Sequence, residues 1–144
     1  LDARGSWDIY RTRYLPFLGK YQLNYPGCGV VGEKCPDNIL IWQPGSRVER
    51  IPLNDGVDDP VILRASRQLV KDGELIRVYH PSKSGYFLLR GGRLLQIWTA
   101  RMNDYWGEHT TSPDGCKVAF FHARGFSTAD PRTFYIFDHC GIGR

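Results

Sequence analysis

The chain has 144 residues, 42% of them hydrophobic, 13% aromatic and 24% charged, which suits one domain with a core of ordinary size over residues 1–144. Its net charge of +4 is spread through alternating basic and acidic positions, so it lacks the concentrated stripe of a nucleic-acid binder and no nucleic-acid partner is expected. No stretch approaches the roughly 18 apolar residues of a transmembrane helix.

Residues 1–20 are aromatic and basic, with Trp7, Tyr10, Tyr14 and Phe17 among Arg4, Arg11 and Arg13, and read as a peripheral strand or an arm. Because the chain starts at Leu1 rather than Met, it reads as a product whose export signal has been removed, with room for a lipid anchor ahead of Leu1. Cys28 and Cys35 bracket a short loop. Asn38-Ile39-Leu40-Ile41-Trp42 and Arg47-Val48-Glu49-Arg50-Ile51 flank Gln43-Pro44-Gly45-Ser46, a turn that makes them a hairpin. The first strand is apolar on both faces and should be central; the second alternates and should be half exposed.

The acidic stretch Asn54-Asp55-Gly56-Val57-Asp58-Asp59 lacks the spaced carboxylates and downstream Glu of a calcium loop, and serves as a turn and helix cap. With Asp59 as N-cap, Pro60 at the first helical position, apolar residues at 61, 62, 65 and 69, and Gly73 as a stop, the spacing predicts a helix over 60–71. A strand over 61–63 is the competing reading, because its start is β-branched. A three-strand meander follows: Glu74 to Tyr79, Tyr86 to Arg90 and Arg93 to Trp98, the last two joined by Gly91-Gly92, whose positive φ suits a primed turn. Residues 101–110 read as a polar, aromatic loop.

Lys117-Val118-Ala119-Phe120-Phe121 and Thr133-Phe134-Tyr135-Ile136-Phe137 read as a closing hairpin. A register centred on Thr128 puts Cys116 opposite Cys140, at a separation a disulfide accepts. Four cysteines allow three pairings; Cys28 with Cys35 and Cys116 with Cys140 suit the hairpins best, and two disulfides imply an oxidising compartment, periplasmic or secreted. The competing reading is four free thiols in the cytosol. The fold class that results is all-β or β-dominated, antiparallel, with at most one substantial helix.

The four histidines at 80, 109, 122 and 139 do not pair at metal-ligand spacing, and neither a nucleophile elbow nor a phosphate-cradling loop is present. No cofactor or metal is expected. One catalytic reading survives, a small secreted ribonuclease in which Glu74 and His80 share a strand face and Arg90, Arg101 or Arg124 clamps phosphate. The loops carry hot-spot composition instead: Ser82, Lys83, Ser84 and Tyr86 around one, Asn103, Asp104, Tyr105, Trp106 and Glu108 in another, with Arg124 nearby. Trp106 reads as a partner anchor, the competing reading being a core plug. As an anchor, its replacement by Ala would weaken binding and leave the fold intact.

Thr111-Ser112-Pro113-Asp114-Gly115-Cys116-Lys117-Val118-Ala119-Phe120-Phe121 resembles the Ser-Pro-Asp-Gly-x-x-Val-Ala-Phe strand of TolB-type β-propeller blades, and the 38–51 hairpin looks like the outer half of such a blade. The resemblance covers about a third of the chain, and 144 residues supply about three blades where closed propellers use at least four. In size, cysteine usage and hairpin style the chain is also similar to the periplasmic immunity proteins that neutralise type VI secretion effectors acting on the cell wall. That resemblance implies a non-catalytic binding protein that inserts loops into a toxin's active-site cleft.

Overall fold

The computed structural model describes residues 12–24, 38–53, 60–63, 65–101, 104–123 and 132–141. Their strands form three antiparallel sheets, each a meander in chain order. The first contains β1 (Arg13–Leu15), β2 (Lys20–Gln22), β3 (Asn38–Trp42) and β4 (Glu49–Pro52). After a single helical turn, α1 (Pro60–Leu63), the second contains β5 (Ser66–Val70), β6 (Gly73–His80), β7 (Lys83–Arg90) and β8 (Arg93–Thr99). The third contains β9 (Tyr105–Thr111), β10 (Lys117–Ala123) and β11 (Arg132–Asp138). No helix of the described residues is long and apolar enough to cross a membrane.

The turns follow from local chemistry. Gly91 and Gly92 adopt φ of 58° and 75°, the left-handed pair expected between β7 and β8. The Ser112 to Cys116 turn closes on itself: the Ser112 hydroxyl donates to Asp114 Oδ1 at 2.6 Å, and the Cys116 N–H donates to the same oxygen at 3.0 Å. These bonds, that from Ser112 first, hold the Asp114 carboxyl below the usual carboxylate range.

The middle sheet is covered on both sides. Ile76, Val78, Phe87 and Leu89 pack with Ile62 of α1, and Leu69 joins Leu15, Ile39 and Ile41 of the first sheet. On the opposite face Val70, Leu75, Tyr86 and Leu88 pack against Trp106, Val118 and Phe120 of the third. Two buried faces explain why residues 67–70 are buried consecutively.

Those same residues overturn the helix over 60–71. Only Pro60–Leu63 is helical; Ser66–Val70 pairs with Gly73–Arg77 through a turn in which Asp72 takes φ 59°. Gly73, read as a helix stop, opens β6, where a Cβ would lie 2.5 Å from the Leu89 carbonyl oxygen. The strand over 61–63 is not formed either. Of the stretch read as a peripheral strand or arm, Arg13–Leu15 is a strand of the first sheet and Leu15 is core. The loop expected over 101–110 becomes β9 from Tyr105 onward.

Cys116 and Cys140 form a disulfide with Cα atoms 5.1 Å apart, yet the register differs from expectation by one residue. Lys117 pairs with Asp138 and Phe120 with Tyr135, so Cys140 reaches its partner from a short 3₁₀ turn over His139–Gly141. Cys28, Cys35 and the acidic 54–59 stretch lie outside the described residues.

The three sheets converge at their first strands. Stacked sheets pack about 10 Å apart, so the outer two of three parallel layers would lie ~20 Å apart. Arg13 of β1 nonetheless comes within 3.4 Å of the His109 carbonyl oxygen on β9. The layers therefore fan outward from β1, β5 and β9. At one end of this line the Gly115 carbonyl accepts bonds from the Lys71 N–H at 2.9 Å and His139 Nε2 at 2.7 Å, tying the second sheet to the cystine hairpin.

The disulfide spans 24 residues, and releasing a loop of that length should cost about 3 kcal/mol of stability. Urea unfolding of the Cys116→Ser/Cys140→Ser variant should show this loss; an unchanged midpoint would mean that the staple restricts neither state.

Candidate functional site

Direct cross-strand partners share a face of their sheet, which puts Tyr86 and Trp98 together on the side of the middle sheet that meets the third. Trp106, His122, Phe120 and Tyr135 line the facing side. The rings interlock: Tyr86 meets Trp106 edge-on at 5.2 Å, Trp98 lies 5.0 Å from Phe120 and 5.5 Å from the His122 ring, and Phe120 stacks on Tyr135 at 5.5 Å. Pairs of this kind add about 0.5–1.5 kcal/mol beyond area burial.

Where this aromatic wall reaches the surface it opens into a cleft of about 470 Å³ lined by Trp98, Thr99, Arg101, Asp104, His122 and Tyr135. The Asp104 N–H donates to the Arg101 carbonyl at 3.1 Å. Asp104 Oδ2 lies 2.7 Å from His122 Nε2, and both side chains are mostly buried. Arg101 is exposed. The cleft thus combines a carboxylate–imidazole pair, a guanidinium and two aromatic faces, enough to grip a planar or charged ligand group. Among the described residues no cluster of three or more His, Cys, Asp or Glu could hold a metal ion.

A second polar cluster lies inside, where the first strands meet. Gln68 Oε1 accepts from Arg13 Nη1 at 2.7 Å and from His109 Nε2 at 2.5 Å, while Gln68 Nε2 donates to Thr111 Oγ1 at 2.5 Å. The Tyr86 hydroxyl donates to His109 Nδ1 at 3.4 Å. Burial, assisted by Arg13 and Arg77, pushes the His109 pKa down to about 3, and burial pushes that of Tyr86 up to about 12. Both groups therefore stay neutral near pH 7 and act as fixed hydrogen-bonding groups.

Among the described residues predicted to meet a partner, Asp104 alone lines the cleft. Trp106 is 3% exposed and sits in the core cluster with Tyr86, so it is the plug and not the anchor; the Arg77 guanidinium lies 5.1 Å from the centre of its ring. Tyr86 is fully buried, and Ser84 is buried with its hydroxyl donating to the His80 carbonyl at 2.9 Å. A strand buried on both faces leaves neither available to a partner. Ser82 is exposed in a tight turn, Lys83 is half-buried, and Ser82 Oγ lies 2.8 Å from His80 Nδ1. Tyr105 and Glu108 fall on β9, their side chains outside the described set, as are Asn103 and Arg124.

The catalytic trio of the ribonuclease reading does not assemble. Glu74 and His80 bracket six steps of β6, about 20 Å along a strand, and Glu74 lies 3.5 Å from Arg67. Residues missed by the sequence reading are Trp98, Thr99, His122 and Tyr135, with Arg101 weighed only as a phosphate clamp. A register centred on Thr128 would have put Tyr135 on the face away from His122; the one-residue shift brings them together.

Trp106→Ala should destabilise the protein by about 3–5 kcal/mol, as large core truncations do, read from urea unfolding. A fold of unchanged stability would return Trp106 to the surface. The second expectation concerns pH. The unfolded chain takes up a proton on His109 near pH 6.5, which the folded chain refuses until about pH 3. Stability should therefore fall steadily as pH drops from 6.5 towards 3, and His109→Gln should flatten that slope. NMR titration gives the direct check: a His109 ring titrating near pH 6 contradicts its burial.

Comparisons of the chain with protein-family models, curated proteins and solved structures return no match.

Proposed function

We propose that the chain is a binding protein that grips a partner through the cleft between its second and third sheets, and that it works as an exported inhibitor. The observation that carries this reading is the cleft: Arg101 and Asp104 present opposite charges beside the aromatic faces of Trp98 and Tyr135. Aromatic and Arg side chains dominate binding hot spots. Strands that hold them in place reduce the entropy lost on docking. The Cys116–Cys140 disulfide is compatible with a secreted or periplasmic location, since oxidising compartments maintain such bonds. An immunity protein directed against a cell-wall hydrolase is the specific form the sequence suggests.

The test uses a secreted hydrolase encoded beside this chain as the probe. Stoichiometric inhibition of its cell-wall cleavage is expected, weakened about 10- to 100-fold by Arg101→Glu or Tyr135→Ala. Full hydrolase activity in the presence of excess protein, or inhibition indifferent to both variants, would remove this reading.

The Asp104–His122 contact at 2.7 Å beside Arg101 favours a second reading, acid–base cleavage of a phosphodiester. In it the carboxylate orients the imidazole, the imidazole moves a proton and the guanidinium holds phosphate. RNA incubated with the protein should then be cut by the parent and not by His122→Ala. Intact RNA with both proteins would leave inhibition alone.

A further inference from the structure

The charges in the cleft are unequally committed. Asp104 Oδ2 is held by His122 Nε2 at 2.7 Å, and both side chains are mostly buried. Arg101 is exposed, and among the described residues its guanidinium has no hydrogen-bond, ion-pair or ring partner. Among the described lining residues it is also the one permanent cation. A guanidinium in this state is best satisfied by an anionic group whose two oxygens fit its planar fork with parallel bonds.

The apolar part of the lining limits what can accompany that anion. Trp98 and Tyr135 have ring centres 6.0 Å apart and planes tilted by 46°. A flat group inserted between two facing rings needs about 7 Å, twice a van der Waals contact. The pair therefore offers a tilted apolar wall and no slot for a sandwiched plane. Tyr135 is 38% exposed, so part of that wall is open to a ligand.

We propose that the cleft recognises an acidic side chain, Asp or Glu, of a protein partner, beside an aromatic or large apolar side chain that lies against Tyr135 and Trp98. This rests on the binding reading above and specifies what is bound. A nucleic-acid strand carries a charge at every step and is held through several cations, whereas the cleft combines one guanidinium with a carboxylate. A lone guanidinium balances a single carboxylate. Asp104 selects a peptide in turn: among the described residues its second oxygen has no partner, and a backbone N–H, which a peptide supplies along its length, satisfies it. The net charge of +4 further favours an acidic partner over a basic one.

NMR spectra of the 144-residue chain, recorded with acetyl-Phe-Glu-amide and acetyl-Phe-Gln-amide as probes, test this and report whether each variant is folded. The Glu probe should shift the Trp98 indole N–H and the His122 ring signals, with half-saturation at about 3- to 10-fold lower concentration than the Gln probe. Arg101→Gln should erase that difference and Arg101→Lys should keep part of it. Tyr135→Ala should weaken acetyl-Phe-Glu-amide and leave acetyl-Gly-Glu-amide unchanged. Equal affinity for the Glu and Gln probes, a preference that survives Arg101→Gln, or no shift at Trp98 and His122 with either probe overturns the proposal. So does inorganic phosphate that binds more tightly than the Glu probe, which makes the guanidinium a phosphate site. The outcome is separable from that of the inhibition test. Inhibition by a protein that does not distinguish Glu from Gln keeps the binding reading and removes its acidic target; a Glu preference without inhibition keeps the target and removes the inhibitor.

Discussion

The buried amide of Gln68 ties the three sheets together. Its carbonyl accepts from Arg13 of the first sheet and His109 of the third, and its NH₂ donates to Thr111, while the side chain itself belongs to the middle sheet. A buried amide without partners costs several kcal/mol, so each of these groups depends on the others being in place. Gln22 extends the principle: its NH₂ donates to the Arg67 carbonyl and its oxygen accepts from the Leu69 N–H, both at 2.9 Å. It thereby satisfies the free edge of β5, which would otherwise be an unpaired strand edge buried beside the first sheet. Polar groups set where the sheets converge, and apolar packing sets how they stack beyond that line.

The cleft follows from that geometry. Sheets that touch at their first strands diverge towards their last, and the space between β8 and β11 is filled only partly by Trp98, Phe120 and Tyr135. The unfilled remainder is the opening around Arg101, Asp104 and His122. Its walls are half-buried or exposed residues, of which Trp98 and Tyr135 are held by ring-to-ring contacts with Phe120 on the inner side. The sequence suggested inserted loops, whereas the proposed function rests on a recessed surface.

Much of the secondary structure was legible in the sequence because it rests on neighbours. The Gly91-Gly92 turn, the 38–51 hairpin and the meander over 74–98 follow from turn chemistry and apolar alternation, interactions that span a few residues. The helix over 60–71 failed for a physical reason: of its four apolar residues Val61 and Ile62 stay in the single helical turn, while Leu69 belongs to a strand, Ser66–Val70, that the two covering sheets bury on both faces. Trp106 was misplaced by the same kind of ambiguity, since its polar neighbours indicated a loop while the cavity it fills is built by Tyr86, Trp98 and Phe120 from distant segments.

By itself, therefore, the sequence determined the β-dominated class, most of the hairpins and the pairing of Cys116 with Cys140, because these depend on local pattern and short-range chain closure. Tertiary structure alone decided the register of the last hairpin, where a one-residue shift exchanges the faces of every side chain. That shift brought Tyr135 onto the face of His122, and the meeting of the second and third sheets buried Trp106 and Tyr86. Side-chain facing is a property of sheets meeting one another, and no single strand encodes which sheet it will meet.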